Sequence, residues 1–437
     1  MISRFIRKTN HWPSFAVLAL LSYMPFHIFL SQSLSTITGG LDAWTVAKDV
    51  FLGLAVLLTL FLVWKQKKAT RVFNVLAATA FLYSVVHLFV WLLNPEIYKQ
   101  TAILGTVYNT RVIWFAVLGA GAVLLAPKCI TESRITKLVI AVGTIVAFLG
   151  LLQYYLPKDL LTHFGYSIER CVKPAFFIDD KTDLPRIMST LRDPNSLGAF
   201  LIIPICLTIS LFFKNQKRRM VLGGMLLIKL LALFLTFSRG GWIGTVVAIG
   251  VLTLLQFRSW IRKHWLPILL AIVTATIALG VFSYIHRDQY VVQNIILHSD
   301  ETTKAEEDSN ELHWRLAKEG AIAIAGHPYG FGPGTAGIVS IQNPGGGVLT
   351  ENYFIQIAYE VSFVGLAIFV GIWGYVIYPI QKNRGTLATT LLASAAAYAA
   401  LGMLMHIWTN ESVAAQWWLL AGVIIGTNNI VTKKKDQ

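Results

Sequence analysis

Charge is scarce in this sequence. Asp, Glu, Lys and Arg make up 14% of its 437 residues, while hydrophobic residues make up 55%. A soluble domain carries about 25% charged residues, so most of this chain cannot be covered by a water-exposed surface. Cysteine is also scarce. Cys129, Cys171 and Cys206 are the three present, spaced so that neither a disulfide framework nor a Cys/His metal site is expected. What the sequence has instead is long apolar runs, twelve of them: 13–30, 45–64, 72–93, 111–127, 138–156, 196–213, 220–237, 241–257, 265–284, 353–380, 386–408 and 413–431. Crossing about 30 Å of hydrocarbon takes roughly 17–25 such residues. The expectation is an all-α integral membrane protein of about twelve transmembrane helices. It divides into helices 1–9 (residues 1–284), a large outer loop with short helices (285–352) and helices 10–12 (353–437). The first run exceeds the roughly 7–15 apolar residues of a cleavable signal, so it is read as a span.

A net charge of +15 invites a nucleic-acid reading, and the placement of the charges excludes it. The short segments 1–12, 65–71, 128–137, 214–219, 258–264, 381–385 and 432–437 hold 22 of the 37 Lys and Arg, but only Glu132 and Asp436 of the 22 acids. This is the positive-inside pattern, repeated at alternate turns. It predicts both termini in the cytoplasm, with Lys433-Lys434-Lys435 as the last anchor.

Against this apolar background a few polar residues stand out. Thr236-Phe237-Ser238-Arg239-Gly240-Gly241-Trp242 joins two spans. An arginine there costs about 2.5–3.5 kcal/mol if it stays at membrane depth, so it needs a partner. The two glycines are expected to relax a tight reversal and open the backbone to an approaching group. Lys229 lies midway through the seventh run, where it either pairs with an interior polar group or serves the site. Lys48 and Asp49 are expected near the outer end of the second run, and Arg111 at the outer end of the fourth as an interfacial anchor.

The outer segments carry the remaining signals. Segment 157–195 ends in Arg186 and Arg192-Asp193-Pro194-Asn195, where Asp193 and Pro194 read as the cap and first residue of a helix. In segment 285–350 an acidic stretch, 300–311, precedes a helix expected from Asp308 or Ser309 to about residue 325, which Gly326-His327-Pro328 ends. Two glycine-rich runs follow, Tyr329-Gly330-Phe331-Gly332-Pro333-Gly334-Thr335 and Asn343-Pro344-Gly345-Gly346-Gly347. They lack the strand–turn–helix setting of a dinucleotide site. Thr350-Glu351-Asn352-Tyr353-Phe354 opens the tenth run, which is too long for a straight crossing.

Three inward-running spans therefore start at the outer mouth, after Arg192, Arg239 and Glu351. Each presents a helix amino terminus with unpaired N–H groups and about half a positive charge. Arg239, Arg192 and Arg315, with Ser238 and Gly240, form an expected receiver for a strongly anionic group; a lipid-linked pyrophosphate is the natural candidate. Each residue also has a plainer role open to it. Arg239 can anchor the hairpin, Arg315 can pair with Glu311 or Glu319 along its helix, His327 can pack the loop, and Glu351 can be an ordinary first-turn acid.

In this order, and on this topology, the pieces resemble the O-antigen ligase and polymerase family of polytopic membrane glycosyltransferases. The resemblance rests on Ser238-Arg239-Gly240-Gly241-Trp242, Arg192-Asp193-Pro194-Asn195, His327-Pro328-Tyr329-Gly330-Phe331-Gly332-Pro333-Gly334, and Glu351-Asn352-Tyr353-Phe354 followed by Val364-Gly365-Leu366. It implies a transferase on the outer face of a bacterial inner membrane, using an undecaprenyl-pyrophosphate-linked glycan as donor. The acceptor is lipid A-core in the ligase branch and another lipid-linked repeat unit in the polymerase branch. Arg239 and Arg315 match the arginines that hold the pyrophosphate; the reaction uses neither metal nor cofactor. A base, Glu351 or His327, takes the acceptor proton, and Arg186, Arg111, Lys229 and Asn352 are further candidates near the site. One departure stands out. Ligases of the family carry histidine before the asparagine that opens the late helix, and here that position is Glu351. Transport of the same lipid-linked glycan is the competing class. It is disfavoured because the two halves of the chain show no similarity and the singled-out charges lie at one mouth.

Overall fold

Each of the twelve apolar runs is built around a helix in the computed structural model, which describes residues 10–178, 181–286, 289, 309–341, 343 and 346–435. The acidic stretch up to Asp308, Pro344, Gly345, Asp436 and the bases of residues 1–9 lie outside the described residues.

In chain order the helices are α1 (Trp12–Tyr23), α2 (His27–Thr38), α3 (Leu41–Lys65), α4 (Arg71–Leu93), α5 (Lys99–Leu125) and α6 (Glu132–Tyr155). A two-stranded antiparallel hairpin follows, β1 (Phe176–Ile178) with β2 (Lys181–Arg186), in register Phe176 to Arg186 and Phe177 to Pro185. Then come α7 (Pro194–Lys214), α8 (Arg219–Leu235), α9 (Arg239–Gln256), α10 (Arg258–Lys263) and α11 (Trp265–Ile285). The chain closes with α12 (Ser309–Gly326), α13 (Gly337–Ser340), α14 (Tyr353–Gln381), α15 (Thr386–Gly402) and α16 (Glu411–Lys435). The fold is that of an all-α membrane protein. Among the described residues, eight helical segments are long and apolar enough to cross a bilayer, α1 and α2 counting as one of 27 residues. The number twelve is not reached on that criterion: α8 and α15 stop at 17 residues each, and α11 and α16 are not among the eight.

The short basic turns gather at one end. Lys68 donates to the carbonyl of Leu125 (3.0 Å), Lys214 to the hydroxyl of Thr386 (2.7 Å), and Asn383 to Asn428 (3.0 Å). Glu132, the one acid of those turns among the described residues, accepts from the backbone N–H of Leu387 at the start of α15 (2.9 Å), where a carboxylate meets unpaired donors. The long segments gather at the other end, called the loop end below.

At the centre α5 and α16 approach backbone to backbone. A Cβ added to Gly422 would collide with the carbonyl of Ala116, and one on Gly426 would lie 2.7 Å from that of Ala120. Small residues allow this close helix contact where no hydrophobic effect drives association.

Two of the shifts from the expected boundaries bear on the site. α5 begins twelve residues before Arg111, because Thr101, Thr106, Asn109 and Thr110 lower the hydropathy of a stretch that is nonetheless helical and largely buried. Arg111 therefore sits inside the bundle, 3% exposed, not at its rim. The eleventh run loses its last residues: α15 ends at Gly402, and 403–410 forms an irregular turn with one 3-10 turn, Ile407–Thr409, at the loop end.

Candidate active site

Three helices start beside one another at the loop end, each capped by its own side chain. Asp193 accepts from the backbone N–H and the hydroxyl of Ser196 before α7 (2.8 Å each). Ser238 accepts from the N–H of Gly241 before α9 (3.1 Å), and Asn352 from those of Phe354 and Ile355 before α14 (3.0 Å each). These bonds satisfy part of each terminus and leave the dipoles aligned toward the same region.

Glycines set the spacing between α7 and α9. A Cβ on Gly198 would lie 3.1 Å from the Cα of Gly241, so the two helix starts touch through their backbones. The glycines after Arg239 thus serve helix packing. The reversal before them is made by Phe237, whose φ of 47° is left-handed. It is braced by Trp242, which donates to the carbonyl of Leu233 (3.0 Å) and stacks on Phe234 at 5.8 Å.

Arg239 opens α9, half-buried, at this junction. Arg186 comes to it from β2: its Nε donates to the carbonyl of Thr236 (2.9 Å) and its NH2 to Asn195 (3.0 Å), so its guanidinium ties α7 to the α8–α9 turn. The turn 403–410 then joins α9 to α14. The Asn352 amide donates to the carbonyl of Met403 (3.2 Å), while a Cβ on Gly240 would lie 2.9 Å from the Cε of Met405. Glu351, immediately before the Asn352 cap, has a φ of 47° and is half-buried. Arg239, Arg186, Ser238, Gly240, Glu351 and Asn352 are accordingly brought to one neighbourhood.

Arg315 lies on α12 and is exposed, with its NH1 3.0 Å from the carboxylate of Glu319 one helical turn on. Its helix rests on the start of α14, since a Cβ on Gly320 would be 2.9 Å from Ile355 and 3.0 Å from Thr350. Five residues of helix, a rise of about 7.5 Å, separate Arg315 from that contact.

Arg192 faces a different wall. Its NH2 reaches the carbonyl of Cys171 (3.4 Å), and it lines a small cavity of about 70 Å³ with Tyr108, Cys171 and residues around α13. His327 is exposed and stacks on Phe331 (4.4 Å between centroids), which stacks in turn on Tyr359 (4.2 Å). Lys229 is fully buried between α7 and α8, donating to the Thr208 hydroxyl (3.1 Å) and the Met225 carbonyl (3.3 Å).

The glycine-rich run docks onto a break in α14. Val361 and Ser362 leave the helical conformation there, Ser362 with a φ of 71°. The carbonyls of Tyr359 and Glu360, freed by the break, accept from the N–H groups of Phe331 (2.8 Å) and Gly332 (2.9 Å). Gly330 lies so close that a Cβ would stand 2.8 Å from the Glu360 carbonyl, at a φ of +83°. Gly334 packs equally hard on Gly105 and Thr101 of α5. The buried Glu360 side chain accepts from Asn109 (2.5 Å) and Gln356 (3.2 Å) and completes the dock.

Sequence reasoning had placed Lys48, Asp49 and Arg111 at interfaces, and it missed Glu411 and His27. The structure gathers all five. Arg111 bridges Asp49 and Glu411 (3.1 Å each), Lys48 contacts the same two acids (3.0 and 3.2 Å), and His27 stands 3.4 Å from Glu411. Two cations meet two carboxylates, so the cluster adds no net charge to the loop end beyond any proton on His27. Signals were present in the sequence, since each of these residues is an ionisable group in or beside an apolar run. What the sequence could not supply was their pairing across four helices.

The eight apolar helical segments of spanning length among the described residues make this a multi-pass membrane protein, with its candidate site at one end. Residues 224–378, from α8 into α14, match the family described as O-antigen ligase. The chain is also similar to a protein of Salmonella muenchen named O-antigen polymerase, at 21% identity over 299 residues, covering 67% of this chain and 72% of that one. Both matches support the chain's place in the O-antigen ligase and polymerase family of bacterial membrane proteins.

Proposed function

We propose that this membrane enzyme of the ligase and polymerase type transfers a glycan from an undecaprenyl-pyrophosphate donor to an acceptor hydroxyl. The site faces outward from the inner membrane, and both chain termini lie in the cytoplasm. The observation that carries the reading is the junction of the α7, α9 and α14 starts, with Arg239 at its opening. Helix amino termini and a guanidinium stabilise the charge that grows on a departing pyrophosphate, the kind of electrostatic work that gives the largest catalytic gains. In the reaction the acceptor oxygen attacks the anomeric carbon, and the bond from that carbon to the pyrophosphate oxygen breaks. The acceptor proton passes to Glu351, or to His327, and polyprenyl pyrophosphate leaves. Arg239 and Arg186 hold the leaving group from the α9 side. Arg315 approaches from α12 within the outer loop segment 285–352, exchanging its Glu319 contact for phosphate oxygens, and Arg192 serves the neighbouring wall. No step calls for a metal or a cofactor.

The test is transfer by the purified chain in nanodiscs, with lipid-linked oligosaccharide extracted from the host membrane. Arg239→Ala is expected to lower transfer by about 100-fold or more, the scale of losing one transition-state donor, while the variant still folds. Normal transfer by that variant would sink the reading.

The acceptor divides two branches. A ligase product ends on lipid A-core, and a polymerase product ends on a second lipid-linked repeat. The polymerase reading draws on the relative of that name and on Glu351 standing where the family's ligases carry histidine. Mass spectrometry of the product's acceptor end separates the two branches.

A further inference from the structure

We propose that His406 is a positioning residue of this site, holding the starts of α9 and α14 at the separation that glycan transfer needs. The inference rests on the site proposed above. His406 belongs to the turn 403–410, whose residues up to Trp408 fall within the eleventh apolar run and which no motif marks. Its Nδ1 lies 2.7 Å from the side-chain oxygen of Gln356. Gln356 is four residues after the cap Asn352 and so shares its face of α14. The same turn accepts the Asn352 amide at Met403, and Met405 reaches the position a Gly240 side chain would fill. At its far side Gly402 is seated on Phe354, 3.0 Å from where a Cβ would stand.

The irregular turn and the end of α15 thus contact both helix starts, one carrying Arg239 and the other preceded by Glu351. Within the turn, Thr409 donates to the His406 carbonyl (2.7 Å), fixing the backbone that carries the ring. Behind Gln356 lies Glu360, which Asn109 holds in place. The imidazole therefore couples the turn to a buried, fully engaged side-chain chain on α14. Letting it go frees the turn, and with it the distance between leaving-group binder and proton acceptor. A displacement of about 1 Å in such a distance lowers turnover by roughly 100-fold without weakening ground-state binding.

The test uses full-length protein in nanodiscs and the same extracted lipid-linked oligosaccharide. His406→Ala is expected to lower kcat about 100-fold with donor KM within twofold of wild type. His406→Gln, which keeps a donor for Gln356, is expected to recover kcat to within about fivefold. The proposal is overturned if His406→Ala retains kcat, if the loss appears as a raised KM, or if His406→Gln is as inactive as the alanine variant. The last outcome would mark proton handling. Amide hydrogen exchange supplies a readout independent of transfer. His406→Ala should lose protection at residues 352–356 and 403–407 while 365–378 keep theirs, and His406→Gln should restore it. Unchanged protection overturns the proposal even where wild-type protein transfers nothing, an outcome that would instead remove the transferase reading itself.

Discussion

Glu411 shows how much depends on one side chain in a medium without water. It contacts Lys48, Arg111 and His27 at once, at the first residue of α16. Glu411→Gln leaves two buried cations sharing Asp49 alone. Breaking a buried pair on one side destabilises by about 3–5 kcal/mol, so a clear fall in the thermal midpoint is expected in detergent. An unchanged midpoint would show that the network adds nothing to stability. Lys229 makes the opposite case. The acceptors it meets, the Thr208 hydroxyl and the Met225 carbonyl, are neutral, so the lysine is held without recovering the full cost of its burial. Lys229→Met, of similar length and apolar, is expected to keep the fold, raise the midpoint and leave glycan transfer within about threefold. Loss of transfer in a stable variant would instead place that lysine in the mechanism. Arg239 and Arg315 differ in the same way, the first at a junction of three helix starts and the second on an exposed helical face beside Glu319.

At the scale of elements, the docking of the glycine-rich run onto α14 makes a prediction that separates backbone geometry from composition. Gly330→Ala forces a Cβ to within 2.8 Å of the Glu360 carbonyl at a φ of +83°. Gly39→Ala meets nothing within 4 Å at a φ of +71°. Both substitutions carry the strain of left-handed backbone, about 1 kcal/mol or more, but only the first also expels the loop. Limited proteolysis should therefore cut near residues 327–335 faster in Gly330→Ala and not in Gly39→Ala. The helices were legible in the sequence because an apolar run of about 20 residues has few other outcomes. So was the cap at Asp193, whose short side chain reaches back to a free N–H group; the cap at Asn352 was not, and Glu351, expected in the first turn, stands before it. The break at Val361 and Ser362 was not legible, since neither residue is proline or glycine. It exists because Phe331 and Gly332 supply donors to the freed carbonyls. The helical start of α5 was hidden for the reverse reason: its polar side chains find partners on other elements, as Asn109 does on Glu360. The site followed the same rule. Residues within one motif were readable, and those joined only in space, such as Arg186 with Thr236 or His406 with Gln356, were not.

For the whole molecule, the three cysteines report which end faces which side of the membrane. Cys171 is exposed at the loop end, in the segment before β1. Cys129 is half-buried at the basic end, with its Sγ 3.2 Å from His11. Cys206 is buried within α7 and serves as an internal blank. Cytoplasmic turns collect Lys and Arg because translocating them is disfavoured. The basic end should therefore face the cytoplasm, and the junction holding Arg239 should face out. A membrane-impermeant maleimide is then expected to label Cys171 in intact spheroplasts, and Cys129 only after the membrane is opened. Because the proposed reaction has its donor glycan reach the loop end from outside, the labelling pattern bears on that proposal as well as on topology. Labelling of Cys129 but not Cys171 in sealed cells would invert the protein. It would put the three helix starts in the cytoplasm and take the proposed outward-facing transfer with it.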